Sequence, residues 1–391
     1  MRRLLIVTLV GAALVGIGST SASAETIGGE QLAQRGVQVN LGPKAKPVPD
    51  IAAETWILVD ATTGTVLAAK DPHLQRPPAS TLKTLTAITV LPQVTLDQTY
   101  VATTKDTHLE GARVGLIAGK SYTLEQLFYG MFLRSGNDAA TAIARAPGSV
   151  KKTIARMNEV ARDLQALDTT AKTPNGLDRP GQVSSAYDLA LIARAGLARP
   201  DFARFVGTKM FNFPGQGSST YAIYNQNRLL MGGFRGAVGV KTGYTSNAGR
   251  TFVGAATRKG TTLIFVGMGI HEGSADAARK ALRWGFKNHA KVTPIGALVL
   301  PLSATQTGEA AVTPEQPSGE SDQELATAGL DIPSAGDPMA PWWFWLILIL
   351  AAFGLFVGWV GSRRRQMQGG NRGGPHTPPR IERPYRPYQP R

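Results

Sequence analysis

Ala237-Val-Gly-Val-Lys-Thr242, Thr251-Phe-Val-Gly-Ala-Ala-Thr257 and Thr261-Thr-Leu-Ile-Phe-Val-Gly-Met268 are three apolar, β-branched runs. The last two are joined by Arg258-Lys-Gly260. They read as consecutive strands. A second pair, Trp56–Asp60 and Thr65–Ala69, surrounds a Thr-Thr-Gly turn far upstream and reads as a hairpin. The patterns between are helical. One helix is expected from near Ser80 through Ile88. Thr123-Leu-Glu-Gln126 resembles a capping box that opens another, to about Leu133. Asn137–Ala144, Val150–Leu164 and Ser185–Ala198 follow, and Ser274 is expected to cap a last helix to about His289. Strands at both ends with helices between imply one sheet built from both parts of the chain, with an inserted all-helical lobe. The expected class is α/β mixed (α+β), with a mixed, mainly antiparallel sheet flanked by helices.

Regular hydrophobic patterning occupies residues 51–293, one large domain or two interleaved lobes. Residues 25–50 read as an extended lead-in. Ahead of them, residues 1–24 have the features of a secretory signal: Arg2 and Arg3, an apolar run from Leu4 to Gly16, and Ala22-Ser-Ala24 as a cleavage site. Residues 294–340 are rich in Pro, Glu, Thr and Gly and are expected to form an acidic, disordered stalk. Residues 341–361 are long and apolar enough for one transmembrane helix, with Trp342, Trp343, Trp345 and Trp359 at its edges. Arg363, Arg364 and Arg365 place the following side in the cytoplasm. Residues 362–391 form a basic, Pro-rich cytoplasmic tail. The expected location is therefore the cell membrane, single-pass, with the main domain extracytoplasmic.

Charge follows the same division. The whole chain carries +15, the tail +7, and residues 301–340 carry −7, which leaves about +13 on residues 25–300. A basic external domain suits an anionic wall or an acidic peptide, and serves solubility equally well. Its cations are dispersed, and no nucleic-acid partner is expected. The chain has no cysteine, which excludes disulfides, thiol nucleophiles and thiolate metal sites. The five histidines show no ligand spacing, so no metal and no cofactor are expected.

Three short motifs carry the chemistry. Ser80-Thr-Leu-Lys83 puts a hydroxyl and an amine on one helical face, one turn apart. A serine hydroxyl needs a base to become a nucleophile, and a lysine packed against apolar walls and another cation, such as Lys241, can serve. Alone, the same residues would fit a helix cap and a surface lysine. Ser149-Val-Lys-Lys152 also matches the pattern and is read as accidental. Ser135-Gly-Asn137 lies between two helices, where it can present a second hydroxyl and an amide to one cleft, or simply cap a helix. Lys241-Thr-Gly243 ends a strand whose edge can pair with a peptide. There Lys241 and Thr242 can hold a carboxylate, Gly243 permits close approach, and the Tyr244 N–H can join that of Ser80 as an oxyanion hole. Each motif alone is weak. In this order and context they indicate an active-site serine enzyme.

The wider context is similar to one family. Pro77-Pro-Ala-Ser-Thr-Leu-Lys83, Leu133-Arg-Ser-Gly-Asn-Asp-Ala-Ala140, Asn175-Gly-Leu-Asp178, Ser184-Ser-Ala-Tyr-Asp-Leu-Ala190 and Lys241-Thr-Gly-Tyr-Thr-Ser-Asn-Ala-Gly249 resemble the low-molecular-mass penicillin-binding proteins of the D-alanyl-D-alanine carboxypeptidase type. The resemblance covers most of residues 51–290. It implies the β-lactamase/DD-peptidase fold and removal of the terminal D-Ala from peptidoglycan pentapeptide stems, with β-lactams as covalent inhibitors. It carries Ser80 as acylated nucleophile, Lys83 as general base, Ser135 as proton relay and Asn137 as substrate anchor. Lys241 and Thr242 bind the substrate carboxylate, and Tyr244 N–H completes the oxyanion hole. The Asn175–Asp178 segment borders the cleft. Two features depart from the family. A stalk and span stand where many relatives have a small β domain and an amphipathic helix. Arg250 stands where some have an aromatic, and reads as a strand-edge surface residue more readily than as a carboxylate contact.

Rival readings are a serine β-lactamase or DD-endopeptidase of the same fold, and a catalytically idle wall-binding protein. No Glu-x-x-Leu-Asn segment occurs between Asn137 and Lys241, so rapid hydrolysis of a penicilloyl-enzyme is not expected. An idle protein has no need of nucleophile, base, relay and strand lysine together. There is no G-x-S-x-G elbow, and His73 lies in a Pro-rich lead-in, which sets aside a Ser-His-Asp hydrolase.

Overall fold

A computed structural model describes residues 26–306. The expected signal segment, span and tail lie outside the described residues. Among the described residues no helix is long and apolar enough to cross a membrane.

The strands are β1 (Val37–Gln38), β2 (Ala53–Asp60), β3 (Thr65–Lys70), β4 (Ala237–Thr245), β5 (Gly249–Arg258), β6 (Thr261–Ile270) and β7 (Gly296–Ala297). They form one sheet in the order β3-β2-β6-β5-β4, with β1 and β7 both pairing along the outer side of β3. Every pair is antiparallel. The sequence dictates burial on both faces. Ile57, Val59, Val253, Ile264 and Val266 belong to one core, while Trp56, Leu58, Phe252, Leu263 and Phe265 belong to a second. Alternate side chains of a strand point to opposite faces, so unbroken apolar runs demand cover on both sides. Each large side chain so buried contributes about 1.5–3 kcal/mol.

The main helices are α1 (Lys83–Val90), α2 (Leu124–Leu133), α3 (Asn137–Arg145), α4 (Val150–Asp163), α5 (Ala186–Leu197), α6 (Pro200–Gly207) and α7 (Ser274–Asn288). α5 covers β2 and β6 on one face, and α1 packs against α5 and the rest of the helical lobe. α7 covers β5 and β6 on the other face. The expected capping box is present: Gln126 N donates to Thr123 Oγ1 (3.2 Å) and Thr123 N to Gln126 Oε1 (3.0 Å). α2 therefore begins and ends as read.

Three boundaries differ. Ser80 lies in a 3₁₀ turn, Ala79–Leu82, and α1 starts only at Lys83. Ala79 has φ +49° after two prolines, which a continuous α-helix does not admit. Ser274 is the first residue of α7 and makes no side-chain cap; Gly273 holds the cap position. The segment after Thr293, expected as the start of the stalk, is folded: Ile295 and Leu298 are buried and β7 pairs with β3. The lead-in is folded too. Leu32 is buried, and Asn40–Leu41 pairs with Val292–Thr293.

The two ends of the described chain meet. Ala297 N donates to Gly28 O (2.8 Å). The Tyr187 hydroxyl donates to Ala297 O (2.8 Å) and accepts from Val299 N (3.2 Å). His73 joins this corner by bridging the Asp168 carboxylate (2.8 Å) and Ile27 O (3.1 Å). Beneath it Asp188 accepts from Thr169 Oγ1 (2.7 Å), and burial raises its carboxyl to about 7.

Candidate active site

The 3₁₀ turn brings Ser80 and Lys83 together, because residues three apart eclipse in that geometry. Lys83 Nζ lies 2.8 Å from Ser80 Oγ. The amine also meets Asn137 Oδ1 (2.8 Å) and Asn175 O (2.5 Å), and Lys83 is fully buried. These three acceptors match the three protons of an ammonium. Burial, and then the charge of Lys241, hold the Lys83 pKa well below that of an ordinary lysine, against a smaller opposing effect of Asp138. In the neutral amine, two protons satisfy Asn137 and Asn175, and the lone pair is left facing Ser80. That arrangement accepts the serine proton.

Ser135 sits between α2 and α3 with φ +58°. It is not a cap: Gly136 holds that position in α3, without a side-chain bond. The Ser135 hydroxyl instead accepts from Lys241 Nζ (3.0 Å), which also donates to Thr242 O (2.7 Å). Lys241 is buried, and burial lowers its pKa to about 7. Lys241, expected from sequence to hold a substrate carboxylate, thus has Ser135 and its own strand as partners. Asn137, expected as a substrate anchor, is likewise engaged, with Oδ1 on Lys83 and Nδ2 donating to Glu110 O (2.6 Å).

Ser80, Ser135, Asn137, Thr242, Gly243 and Tyr244 all line one cleft of about 550 Å³. Two glycines make its floor possible. A Cβ on Gly243 would stand 2.9 Å from Ser80 N, so β4 passes hard against the nucleophile's backbone. A Cβ on Gly176 (φ +81°) would collide with the Ala79 carbonyl. Thr245 Oγ1 donates to Asp178 Oδ1 (2.8 Å) and ties the 175–178 segment to β4.

Other residues of the site escaped the sequence reading. Asp138 is buried next to Asn137. Its carboxylate accepts from Val114 N (2.9 Å), Gly115 N (2.8 Å) and Leu116 N (3.1 Å), fixing the segment that brings Gly111 and Ala112 to the cleft. The adjacency Asn137-Asp138 was the only signal. Asp138→Ala is expected to strand these amides and to cost about 3 kcal/mol, measurable by urea unfolding. An unchanged midpoint would deny the carboxylate this role. Arg250, read as a strand-edge surface residue, is exposed but lies on the inner strand β5 and lines the cleft. The second S-x-x-K match is the accident it was taken for, since Ser149 caps α4 and Lys152 is exposed.

A buried lysine on a serine, a second lysine–serine pair and a strand edge beside them define a serine acyl-transfer enzyme of the DD-peptidase fold. The D-alanyl-D-alanine carboxypeptidase family, peptidase family S11, matches residues 43–272, and the chain belongs to it. The chain is similar to the D-alanyl-D-alanine carboxypeptidase DacB2 of Mycobacterium tuberculosis, 43% identical over 61% of this chain and 84% of that protein. It is also similar to DacD of Escherichia coli, 34% identical over 64% of this chain and 67% of the relative. Among solved structures, a Mycobacterium tuberculosis D-alanyl-D-alanine carboxypeptidase aligns with a TM-score of 0.63 and 41% identity, covering 66% of this chain and 99% of the other. The Streptomyces K15 DD-transpeptidase aligns at 0.60 and 31%, covering 62% and 100%.

Proposed function

We propose that the chain is a serine D-alanyl-D-alanine carboxypeptidase that removes the terminal D-Ala from peptidoglycan stem peptides and is acylated by β-lactams. The observation that carries this is the Lys83 amine, buried and 2.8 Å from Ser80 Oγ. Lys83 takes the Ser80 proton as Oγ attacks the carbonyl between the two D-alanines. The developing oxyanion is met by the backbone N–H groups of Ser80 and Tyr244. The proton reaches the leaving amine through Ser135, which Lys241 holds in place. D-Ala departs, and water then attacks the acyl-Ser80 ester to release the shortened stem. Asn137 fixes the Lys83 amine and has one amide proton left for the peptide. Thr242 offers its hydroxyl to the terminal carboxylate.

Placement of this domain outside the membrane, where the stem peptides are, is part of the proposal and rests on the sequence pattern alone, the signal-like residues 1–24 and the apolar stretch 341–361. The test is intact mass of the domain with benzylpenicillin, beside release of D-Ala from a pentapeptide. A long-lived adduct together with D-Ala release is expected. Penicillin consumed through a transient adduct would replace the reading with a β-lactamase.

A further inference from the structure

Where the two ends of the described chain meet, a recess of about 230 Å³ opens beside Thr26, the first described residue. Thr26 and Ile27 line it together with His73, Asp168 and Asp188. Its lining carries two carboxylates, one imidazole and, among the described residues, no lysine or arginine. That balance runs against a domain whose residues 25–300 carry about +13.

The charges in the recess do not close. His73 meets an acceptor at each ring nitrogen, Asp168 Oδ2 at 2.8 Å and Ile27 O at 3.1 Å. Both bonds together need a proton on each nitrogen, so the ring brings at most one positive charge. Asp168 uses it. Asp188 is 1% exposed, and its Oδ2 accepts from a neutral hydroxyl, Thr169 Oγ1 (2.7 Å). Burial, and after it the charge of Asp168, raise the Asp188 carboxyl to about 7. A buried carboxylate without a cation of its own is costly.

The chain itself supplies a cation at this place. Gly29 N donates to Thr26 O (3.0 Å), and His73 holds Ile27 O, so the backbone is fixed up to the rim of the recess. The preceding residue is Glu25, one Cα step of about 3.8 Å from Thr26. Cleavage after Ala22-Ser-Ala24, as expected from the sequence, makes Glu25 the first residue. A signal peptidase adds water across the Ala24–Glu25 bond. The new carboxylate leaves with the signal, and the nitrogen stays on Glu25 and is protonated to an ammonium. Before cleavage that nitrogen is a peptide N–H with one proton to donate and no charge. Afterwards it has three protons and a charge.

We propose that the recess is the seat of the mature N-terminus, where the Glu25 α-ammonium pairs with the carboxylates of Asp188 and Asp168. Removal of the signal then completes the clamp between the two ends of the domain. The bond from Ala297 N to Gly28 O lies three residues further along, so the ammonium pins the lead-in where it supports β7.

The test uses the full chain secreted with its own signal. Intact mass must first show Glu25 as its first residue; any other start overturns the proposal. Two variants then separate the amine from the side chain. Glu25→Ala keeps the amine. Glu25→Gln loses it, because an N-terminal glutamine cyclises: the amine attacks the side-chain amide carbonyl and ammonia leaves, a change that the mass also reports. Glu25→Gln is expected to melt about 2–4 °C below Glu25→Ala. With Asp188→Asn added to each, the two should melt together. Labelling with acetic anhydride at about pH 8 gives a second readout that does not need Asp188→Asn to fold. The wild-type α-amine is expected to react about 3–10-fold more slowly than that of Asp168→Asn, because the carboxylate keeps it protonated. Equal melting of Glu25→Ala and Glu25→Gln, a difference that survives Asp188→Asn, or equal labelling overturns the proposal and leaves the carboxypeptidase reading in place.

Discussion

Ser80→Ala is expected to remove covalent labelling by benzylpenicillin altogether and to lower peptide turnover on the order of 10⁶-fold, the scale of losing an enzyme's nucleophile. The fold should not register the change. Ser80 is half-buried in a short 3₁₀ turn, and what leaves is one oxygen whose partner, Lys83, keeps Asn137 and Asn175 as acceptors. Intact mass and a thermal melt on the same sample separate the two quantities. Residual labelling at another residue would remove Ser80 from the mechanism.

Lys83→Met is expected to slow acylation by about 10²–10⁴-fold, the usual range for a positioned base. Methionine fills the lysine's volume without its charge. The change also leaves Asn137 Oδ1 and Asn175 O without the donor they had, so a loss of about 1–3 kcal/mol in stability is expected beside the kinetic effect, read from a thermal melt of the same sample. The pH profile gives the same residue a second signature. Only the neutral amine accepts the Ser80 proton, so wild-type acylation falls as pH drops through the lowered pKa of Lys83 and is level above it. In Lys83→Met that acid limb should vanish from what activity is left. Normal acylation rates in this variant would overturn the role given to the lysine.

Much of this site was legible because its motifs are local. Ser80 and Lys83 are three residues apart, and their meeting needs only one turn of any helix. The joining of Ser135 to Lys241 across 106 positions was not read from the sequence, which put both motifs in one cleft but gave Lys241 to the substrate carboxylate. The sequence is silent where the backbone does the work. Asn175 O and Glu110 O, which hold Lys83 and Asn137, are carbonyls that any residue could supply. Asp138 and Gly176 act through loop closures that no periodicity announces. The place of Arg250 beside the cleft was not legible for a related reason: it depends on the register of β4 with β5, and register is a property of two segments together. The same holds for β7, whose two residues are too few to show alternation.

The placement of the ends on the sheet has a mechanical consequence. Gly28 and Ala297 are bonded to each other beside β3, while the cleft lies along β4 at the opposite edge. Five strand spacings separate β7 from β4, about 24 Å. Tension applied through residues beyond Gln306 would load the Ser303–Asp163 bonds first, then those of Leu300 with Gln165 and Val299 with Tyr187, and only then β7, while β2, β6 and β5 still brace β4. The domain is thus built to be pulled at one margin and to keep its working margin unstrained.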